Sequence, residues 1–541
     1  MNLIEDAWIP VRYGDGRIRT IAPWQLTEPW QKVGQEGGPG GGLPLEMASP
    51  RPDFDGALVQ FLIGLLQTAN TPRNGRHWRQ AFKTPPTPEA LRDLFSPFTS
   101  TFNLDGEGPR FMQDLYLDGH FTDMPIGQLL IDMPGDKARK VHGDHFIKRG
   151  SCDRMCPICA TTALWCMQTN APAGGTGYRT GIRGGGPLTT LLLGDTLWET
   201  VWLNVLDGEV KDVPLEVPMD ATVFPWLGPT RTSNLKEAGK ETSPEDGHPW
   251  QMFWATARRI QLMFSTFEQA IDCDVCGVST QRGVTSFRTR NYGVNYTGAW
   301  VHPLSPYGFD KEGMPYSMHP QPGGLSWRHW LGLVLPRSGE KPQNRREPAQ
   351  VVTCWKRSRE RGRQATGRLW GFGYDMDNMK ARCWYEGIMP LSSVPEVDSE
   401  DWQREVERLV HSAEQVLRQL RKRINDATTS AANVSGIFWQ STETGFYLHL
   451  DQLGAGYDSA GGEEHAFDRQ AWAISWHKVL SRIARWIFEE ATQSARIQEA
   501  DPAKIARAWN NLNRDLNAKS LRETLNLAPI KATGKGKRAK S

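Results

Sequence analysis

Apolar residues along this chain follow two periods, and the change between them marks its organisation. From Phe54, the residues Leu58, Phe61, Leu62, Leu65 and Leu66 recur at helical spacing, which predicts a buried helix. Beyond residue 399 the same period returns and persists. Val406, Leu409, Val410, Ala413, Val416, Leu417, Leu420 and Ile424 lie on one face of a charged helix. Further helical stretches cover 434–450, 472–490 and 503–516, so residues 399–525 read as an antiparallel four-helix bundle. Ahead of it the signals are shorter and mixed. Residues 6–12 and 18–21 flank a Gly14–Gly16 turn and read as a hairpin, and 188–193 and 200–206 read as buried strands. Residues 250–270 read as a helix. The loop QEGGPGGG at 35–42 predicts disorder or a flexible surface, and the basic tail ending KATGKGKRAKS predicts disorder. The fold class is α+β: a large, mixed, loop-rich domain over 1–398, a four-helix bundle over 399–525 and a tail over 526–541.

Candidate chemistry concentrates between Ser151 and Pro187. Cys156 and Cys159 form a C-x2-C knuckle, and a second lies far downstream at Cys273 and Cys276. Together they supply the four thiolates of a closed structural zinc site, with no open position for a catalytic water. The long interval matches no compact zinc ribbon, so two unrelated pairs of buried cysteines stand as the alternative. Cys152 and Cys166 flank the first knuckle as substitute ligands, whereas Cys354 and Cys383 read as ordinary buried thiols.

Downstream of the first knuckle, Ala173, Gly174, Gly175, Thr176 and Gly177 precede Tyr178, Arg179 and Arg183. Glycines let a backbone come close to a ligand, and the arginines beside them favour phosphate or a base edge. Basic and aromatic residues alternate from Thr285 to Tyr292, as an exposed strand touching nucleic acid would show, or a half-buried strand with a solvated basic face. Between 356 and 368, six cations face the single acid Glu360. Such a run is either a solvated face or a phosphate contact.

Composition narrows the classes. With 63 basic and 61 acidic residues the formal net charge is +2, so a nucleic-acid partner would be met by local patches, as in a subunit of an assembly. The opening MNLIEDAWIPVR is not a signal peptide, and no stretch approaches the roughly 18 apolar residues of a membrane span. The reading is a soluble cytoplasmic protein with no membrane partner. There is no phosphate-binding G-x4-G-K-[ST] loop, and the zinc-deaminase pattern is missing. Asp375 and Asp377 read as a capped turn, with a metal-dependent nuclease as the alternative. The histidines and aspartate of HGDHFIKR at 142–149 fit no metal motif. No catalytic constellation emerges.

Read in order, several motifs resemble the CasA family, the large subunit of the type I-E CRISPR Cascade surveillance complex. They are MNLIEDAWIPVR, PRFMQ at 109–113, CPICATTAL at 156–164 and AP-x-GG-x-G at 171–177. RGGGP at 183–187, LNVL at 203–206, CDVCG, W-x-HP-x-SP at 300–306 and GYDMDNMKARCW at 373–384 complete the series. The resemblance covers nearly the whole chain.

That resemblance implies a non-enzymatic protein. Its partners would be CRISPR RNA, target double-stranded DNA, other Cascade subunits and a helicase–nuclease effector. It would recognise the protospacer-adjacent motif (PAM) in duplex DNA, start strand separation and recruit that effector. Carried over residue by residue, the family's glycine loop falls on Ala173 to Gly177, with Thr176 in place of one glycine. The minor-groove finger falls on Asn291, with Arg288 and Arg290 before it, and the strand-separating wedge falls near Asn378, with Met379 beside it. The segment holding Phe146, Lys148 and Arg149 matches the one that approaches the RNA handle.

Overall fold

The computed structural model describes residues 1–30, 42–117, 119–135, 150–210, 213–357, 367–377, 380–391, 400–428, 433–458, 467–493 and 501–527. The chain forms two compact units, Met1–Leu325 with Gly332–Pro390, and Ser326–Leu331 with the chain from Leu391 onward. Much of the 35–42 loop, the HGDHFIKR segment, most of the 356–368 basic run and the end of the tail lie outside the described residues.

In the first unit the expected hairpin is present. Strand β1 (Ile9–Arg12) pairs antiparallel with β2 (Ile18–Ile21) and, on its other side, with β3 (Glu46–Met47). Gly16 closes the turn at φ 81°, a value that favours glycine. Helix α1 (Pro52–Ala69) is apolar almost all round and correspondingly buried. Its Phe61 is the hub of the core, meeting Trp8, Phe102, Phe111, Trp165 and Trp254 edge-on at 5.1–6.2 Å between ring centroids. Edge-to-face pairs of this kind add about 0.5–1.5 kcal/mol each beyond the area they bury.

Strand β4 (Thr122–Pro125) and helix α2 (Pro157–Asn170) come next, followed by β5 (Thr189–Leu193), the buried strand read from its leucines. The second strand read there is a helix instead. Helix α3 (Leu197–Leu203) starts at Thr196, whose hydroxyl accepts the Glu199 N–H while Glu199 accepts the Asp195 N–H. That T-x-x-E cap outweighs the β propensity of the leucines and valine. The long helix expected over 250–270 is also corrected. A four-residue helix, Gln251–Trp254, gives way to strand β6 (Arg259–Asp272), which folds back on β7 (Ser279–Arg290). Ile260 and Leu262 are buried while the alternating Gln261 and Met263 are only partly so, a period of two that pairing with β7 selects. The sheet runs in the order β4, β7, β6.

Strands β8 (Arg368–Asp377) and β9 (Lys380–Pro390) form a second long hairpin, whose β8 also pairs with β5. Asp375 and Asp377 lie on β8, not on a capped turn. Arg382 reaches across from β9 to both, at 2.6 and 3.8 Å. Cys383, opposite Asp375, is exposed and Cys354 is half-buried, because neither faces a core.

The second unit holds α4 (Glu400–Ala427), α5 (Val434–Asp458), α6 (Arg469–Gln493), α7 (Pro502–Leu516) and a last short helix, Lys519–Thr524. The whole apolar stripe of α4 read from the sequence is buried. Asp501 caps α7 by accepting the Ala503 and Lys504 N–H groups. Ser326–Leu331 also belongs to this unit. The Trp327 ring stacks on Phe446 at 4.3 Å and its Nε1–H donates to the Trp439 carbonyl, while Trp330 meets Trp402 edge-on.

Candidate metal centre and nucleic-acid interface

The two cysteine knuckles meet because two local structures place them together. Cys156 sits at the N-cap of α2, where Pro157 starts the helix and the Cys156 sulfur accepts the Cys159 N–H at 3.4 Å. A helix N-terminus favours negative charge, so this position suits a thiolate. Cys273–Gly277 forms the turn of the β6–β7 hairpin, closed by Gly277 N–H on the Cys273 carbonyl with Gly277 at φ 74°. Asp274 fastens the turns together: one carboxylate oxygen accepts the Asp153 and Arg154 N–H groups, each at 2.8 Å.

The sulfurs of Cys156, Cys159, Cys273 and Cys276 all lie within 4.8 Å of one another. Cys156 and Cys276 are 3.7 Å apart, too far for a disulfide. Tetrahedral zinc with bonds of about 2.3 Å places its sulfurs roughly 3.8 Å apart, so these residues fit that ion. In the free thiols, the hydrogen bond to Cys159 draws the Cys156 pKa down, but the bond to Cys273 and burial outweigh it, pushing it up to about 12. Cys273, which accepts from Cys156 and Cys159, moves the other way. Four sulfurs crowded this closely suit thiolates whose charge a divalent cation would neutralise. Cys152 and Cys166 are buried outside this group, Cys166 against Asp53 and Asn170 deep on α2.

From this clip, α2 and β7 run side by side to the glycine loop. Met155 exchanges both backbone hydrogen bonds with Val284. The fourteen residues of α2 advance about 21 Å, and the seven steps from Val284 to Asn291 about 23 Å, so both arrive together. There the Gly177 carbonyl accepts the Tyr292 N–H at 2.8 Å, and the Thr176 carbonyl accepts the Asn291 side-chain N–H at 2.8 Å. Gly177 has φ 77°, and a Cβ there would stand 3.0 Å from the Tyr292 nitrogen. A Cβ on Gly174 would meet Tyr178 at 2.3 Å, whereas one on Gly175 meets nothing within 4 Å. Gly175 and Thr176 are exposed.

The structure thus brings Gly174, Gly175, Thr176 and Gly177 together with Arg290 and Asn291. It also shows partners that spacing alone did not reveal. Arg290 is paired with Glu237 at 2.6 Å, and Arg288 with Asp123 at 3.5 Å. Arg179 donates to the Ser233 hydroxyl, and Arg258 lies 4.8 Å from the Tyr178 ring. The loop carrying Ser233 and Glu237 is itself bonded to the Tyr292 and Gly293 carbonyls. No spacing in the sequence signals this contact, because Glu237 lies 53 residues from Arg290. Asn378 and Met379, and Phe146, Lys148 and Arg149, lie outside the described residues; β8 ends at Asp377 and β9 begins at Lys380.

A family model described as CRISPR-associated protein Cse1 matches residues 2–486. The fold is similar to that of CasA from Thermus thermophilus, at 17% identity and TM-score 0.66, covering 95% of this chain and 99% of that one. It is also similar to Thermobifida fusca Cse1, at 16% identity and TM-score 0.67, covering 97% and 98%. A chain of a CRISPR RNA-guided surveillance complex is similar at 17% identity and TM-score 0.65, covering 96% and 99%.

Proposed function

Because the chain belongs to the CRISPR-associated Cse1 family, we propose that it is the large, non-catalytic subunit of an RNA-guided surveillance complex. In that role it recognises the PAM in duplex DNA, promotes strand separation and R-loop formation, and recruits a helicase–nuclease. Its partners are CRISPR RNA, the other Cascade subunits, target DNA and that effector. The observation that carries the reading is the exposed Gly175–Thr176 backbone locked to Asn291 at the end of the clipped α2–β7 frame.

The arrangement suits the minor groove. Its base edges separate mainly A·T from G·C, and a short contact suffices because the guide reads the remaining sequence by base pairing. Gly175 lets the backbone approach closely. The Asn291 carboxamide oxygen, which has no partner among the described residues, accepts from a guanine amino group. Opening the adjacent base step costs a few kcal/mol, which the side chains of Asn378 and Met379 are proposed to offset by insertion. Phe146, Lys148 and Arg149 are proposed to meet the RNA handle. Zinc, held by Cys156, Cys159, Cys273 and Cys276, would be structural and supply no chemistry. A nuclease reading is less well supported, since Arg382 already sits between Asp375 and Asp377, at 2.6 and 3.8 Å, where a metal ion would have to bind.

Gly175→Trp tests the contact. With nothing within 4 Å of the added Cβ, folding and assembly should be retained. Affinity of the reconstituted complex for PAM-bearing duplex should fall about tenfold, the scale of one lost base contact. Unchanged affinity counts against the assignment. Selection on a randomised PAM library would then identify the motif.

A further inference from the structure

Arg183 lies in the segment between α2 and β5 and is only 5% exposed. Its Nη1 donates to the hydroxyls of Thr189 and Ser305, both at 3.0 Å, and its Nη2 to the Gln60 carboxamide oxygen at 2.5 Å. All three acceptors are neutral. Among the described residues the Nε–H and the second Nη2–H have no acceptor, and the one acidic group that bears on the guanidinium is the neutral phenol of Tyr307. A buried charge without a counter-charge is strongly unfavourable.

Beside Arg183 is a cavity of about 20 Å³ lined by Gln60, Gln168, Phe253 and His302 among others. His302 is buried, and its Nδ1 accepts the Leu304 N–H at 3.2 Å, so in the neutral ring Nε2 carries the proton. Burial and the Arg183 charge keep that ring neutral. Its Nε2–H has no acceptor among the described residues. Of the two glutamine oxygens, that of Gln60 is filled and that of Gln168 keeps one lone pair. The Gln60 oxygen takes Arg183 and Thr189, and the Gln168 oxygen takes the Arg258 N–H. Both amide nitrogens are also committed, to the Gly56 carbonyl and to the Met112 and Arg258 carbonyls. Arg258, next to Gln168 but outside the lining, is a second guanidinium with no carboxylate partner among the described residues; it bonds to the Pro172 carbonyl and leaves its buried Nε unpartnered.

The lining therefore presents the positive charge and free N–H groups of Arg183 and the N–H of His302, against one Gln168 lone pair and the Thr169 hydroxyl as acceptors and no carboxylate. A water molecule must place two protons of its own; a halide places none and supplies the missing charge. We propose that this cavity binds a single small monovalent anion, chloride in the cell. The anion joins Arg183, and through it Gln60 of α1, Thr189 of β5 and Ser305, at the stem of the glycine segment. This site does not depend on the proposed role in DNA recognition.

Crystals of the full chain grown in sodium bromide should show an anomalous bromide peak within hydrogen-bond reach of Arg183 and His302. Thermal unfolding compared in sodium chloride and sodium gluconate at equal ionic strength should show a saturable, chloride-specific rise of about 2 °C or more in the midpoint. Arg183→Gln should abolish that difference; should the variant fail to fold, the bromide experiment on the unaltered protein still decides. Water density without an anomalous signal, or midpoints that track ionic strength alone, overturns the proposal.

Discussion

The clipped region around α2 and the β6–β7 hairpin and the helical unit are closed by opposite kinds of contact. In the first, the decisive partners are far apart in the chain. Cys156 meets Cys276 across 120 residues, Asp274 meets the Asp153 and Arg154 backbone across about as many, and Asn291 meets Thr176 across 115. In the second, the apolar stripe of α4 repeats every three or four residues and each position is buried. Distant closure must overcome loop entropy before any contact forms, so a few strong cross-links set the shape. A periodic helix spreads its stabilisation over many side chains, and its pattern is local.

Metal removal should separate the two regions most strongly. Structural zinc contributes about 10–16 kcal/mol of apparent binding energy in small zinc-finger peptides, so a strong chelator should unfasten the residues near Cys156 and Cys273. Protease cleavage there should rise sharply while the helical circular dichroism of the bundle persists. Elemental analysis of the untreated protein should give about one zinc per chain, as four thiolates require. A metal-free protein with full protection at both knuckles would show that the clip contributes nothing.

Trp327→Ala should act in the opposite sense. It removes a fully buried ring that stacks on Phe446 and meets Trp439 and Trp476 edge-on. A loss of about 3–5 kcal/mol follows from the truncated contacts and the cavity left behind. Denaturant unfolding followed by helical signal should shift by that amount, with zinc content unchanged. An equal loss of zinc in this variant would merge the two regions into one cooperative system.

The same contrast explains what could be read from the sequence. The α4 stripe, the terminal hairpin and the leucine strand β5 were legible because their determinants are neighbours in the chain. The C-x2-C spacing revealed each knuckle, although only the fold shows that the second is a hairpin turn. Residues 259–272 were misread because IQLMF contains both periods, and pairing with β7 decides between them. Leu197–Leu203 was missed by weighing leucines above the Thr196–Glu199 cap. Trp327 and Trp330 carry no local sign that they belong with helices beyond residue 400. The clamps on Arg290 and Arg288 come from Glu237 and Asp123, acids that sequence distance hides.

Acid should weaken the helical unit through His329. Burial, aided by repulsion from Arg328, lowers its pKa from 6.5 to about 3. Between these values the unfolded chain binds a proton that the folded one refuses, so stability is full above about pH 6.5 and falls as the pH drops toward 3. At pH 5 the loss is about 2 kcal/mol. His329→Gln should flatten this part of the pH profile, measured by denaturant midpoints between pH 7 and pH 5. A variant with the parent's slope would locate the acid sensitivity elsewhere.

The smallest expected effect bears directly on the proposed interface. Glu237 holds Arg290 at 2.6 Å, 53 residues away in sequence and partly exposed to solvent. Such a pair contributes about 0.2–1 kcal/mol, so Glu237→Gln should barely alter folding. If duplex DNA approaches Asn291, however, that carboxylate both repels phosphate and competes for the neighbouring guanidinium. Neutralising it should raise affinity for PAM-bearing duplex about two- to fivefold at low salt, with a steeper fall as salt increases, because one more phosphate contact releases one more counterion. Arg290→Gln should lower affinity and make the salt dependence shallower, and combining the two changes should erase the Glu237 gain. An affinity gain that survived the loss of Arg290 would mean that Glu237 acts through its own charge alone. No gain at any salt concentration would mean that DNA does not pass this face.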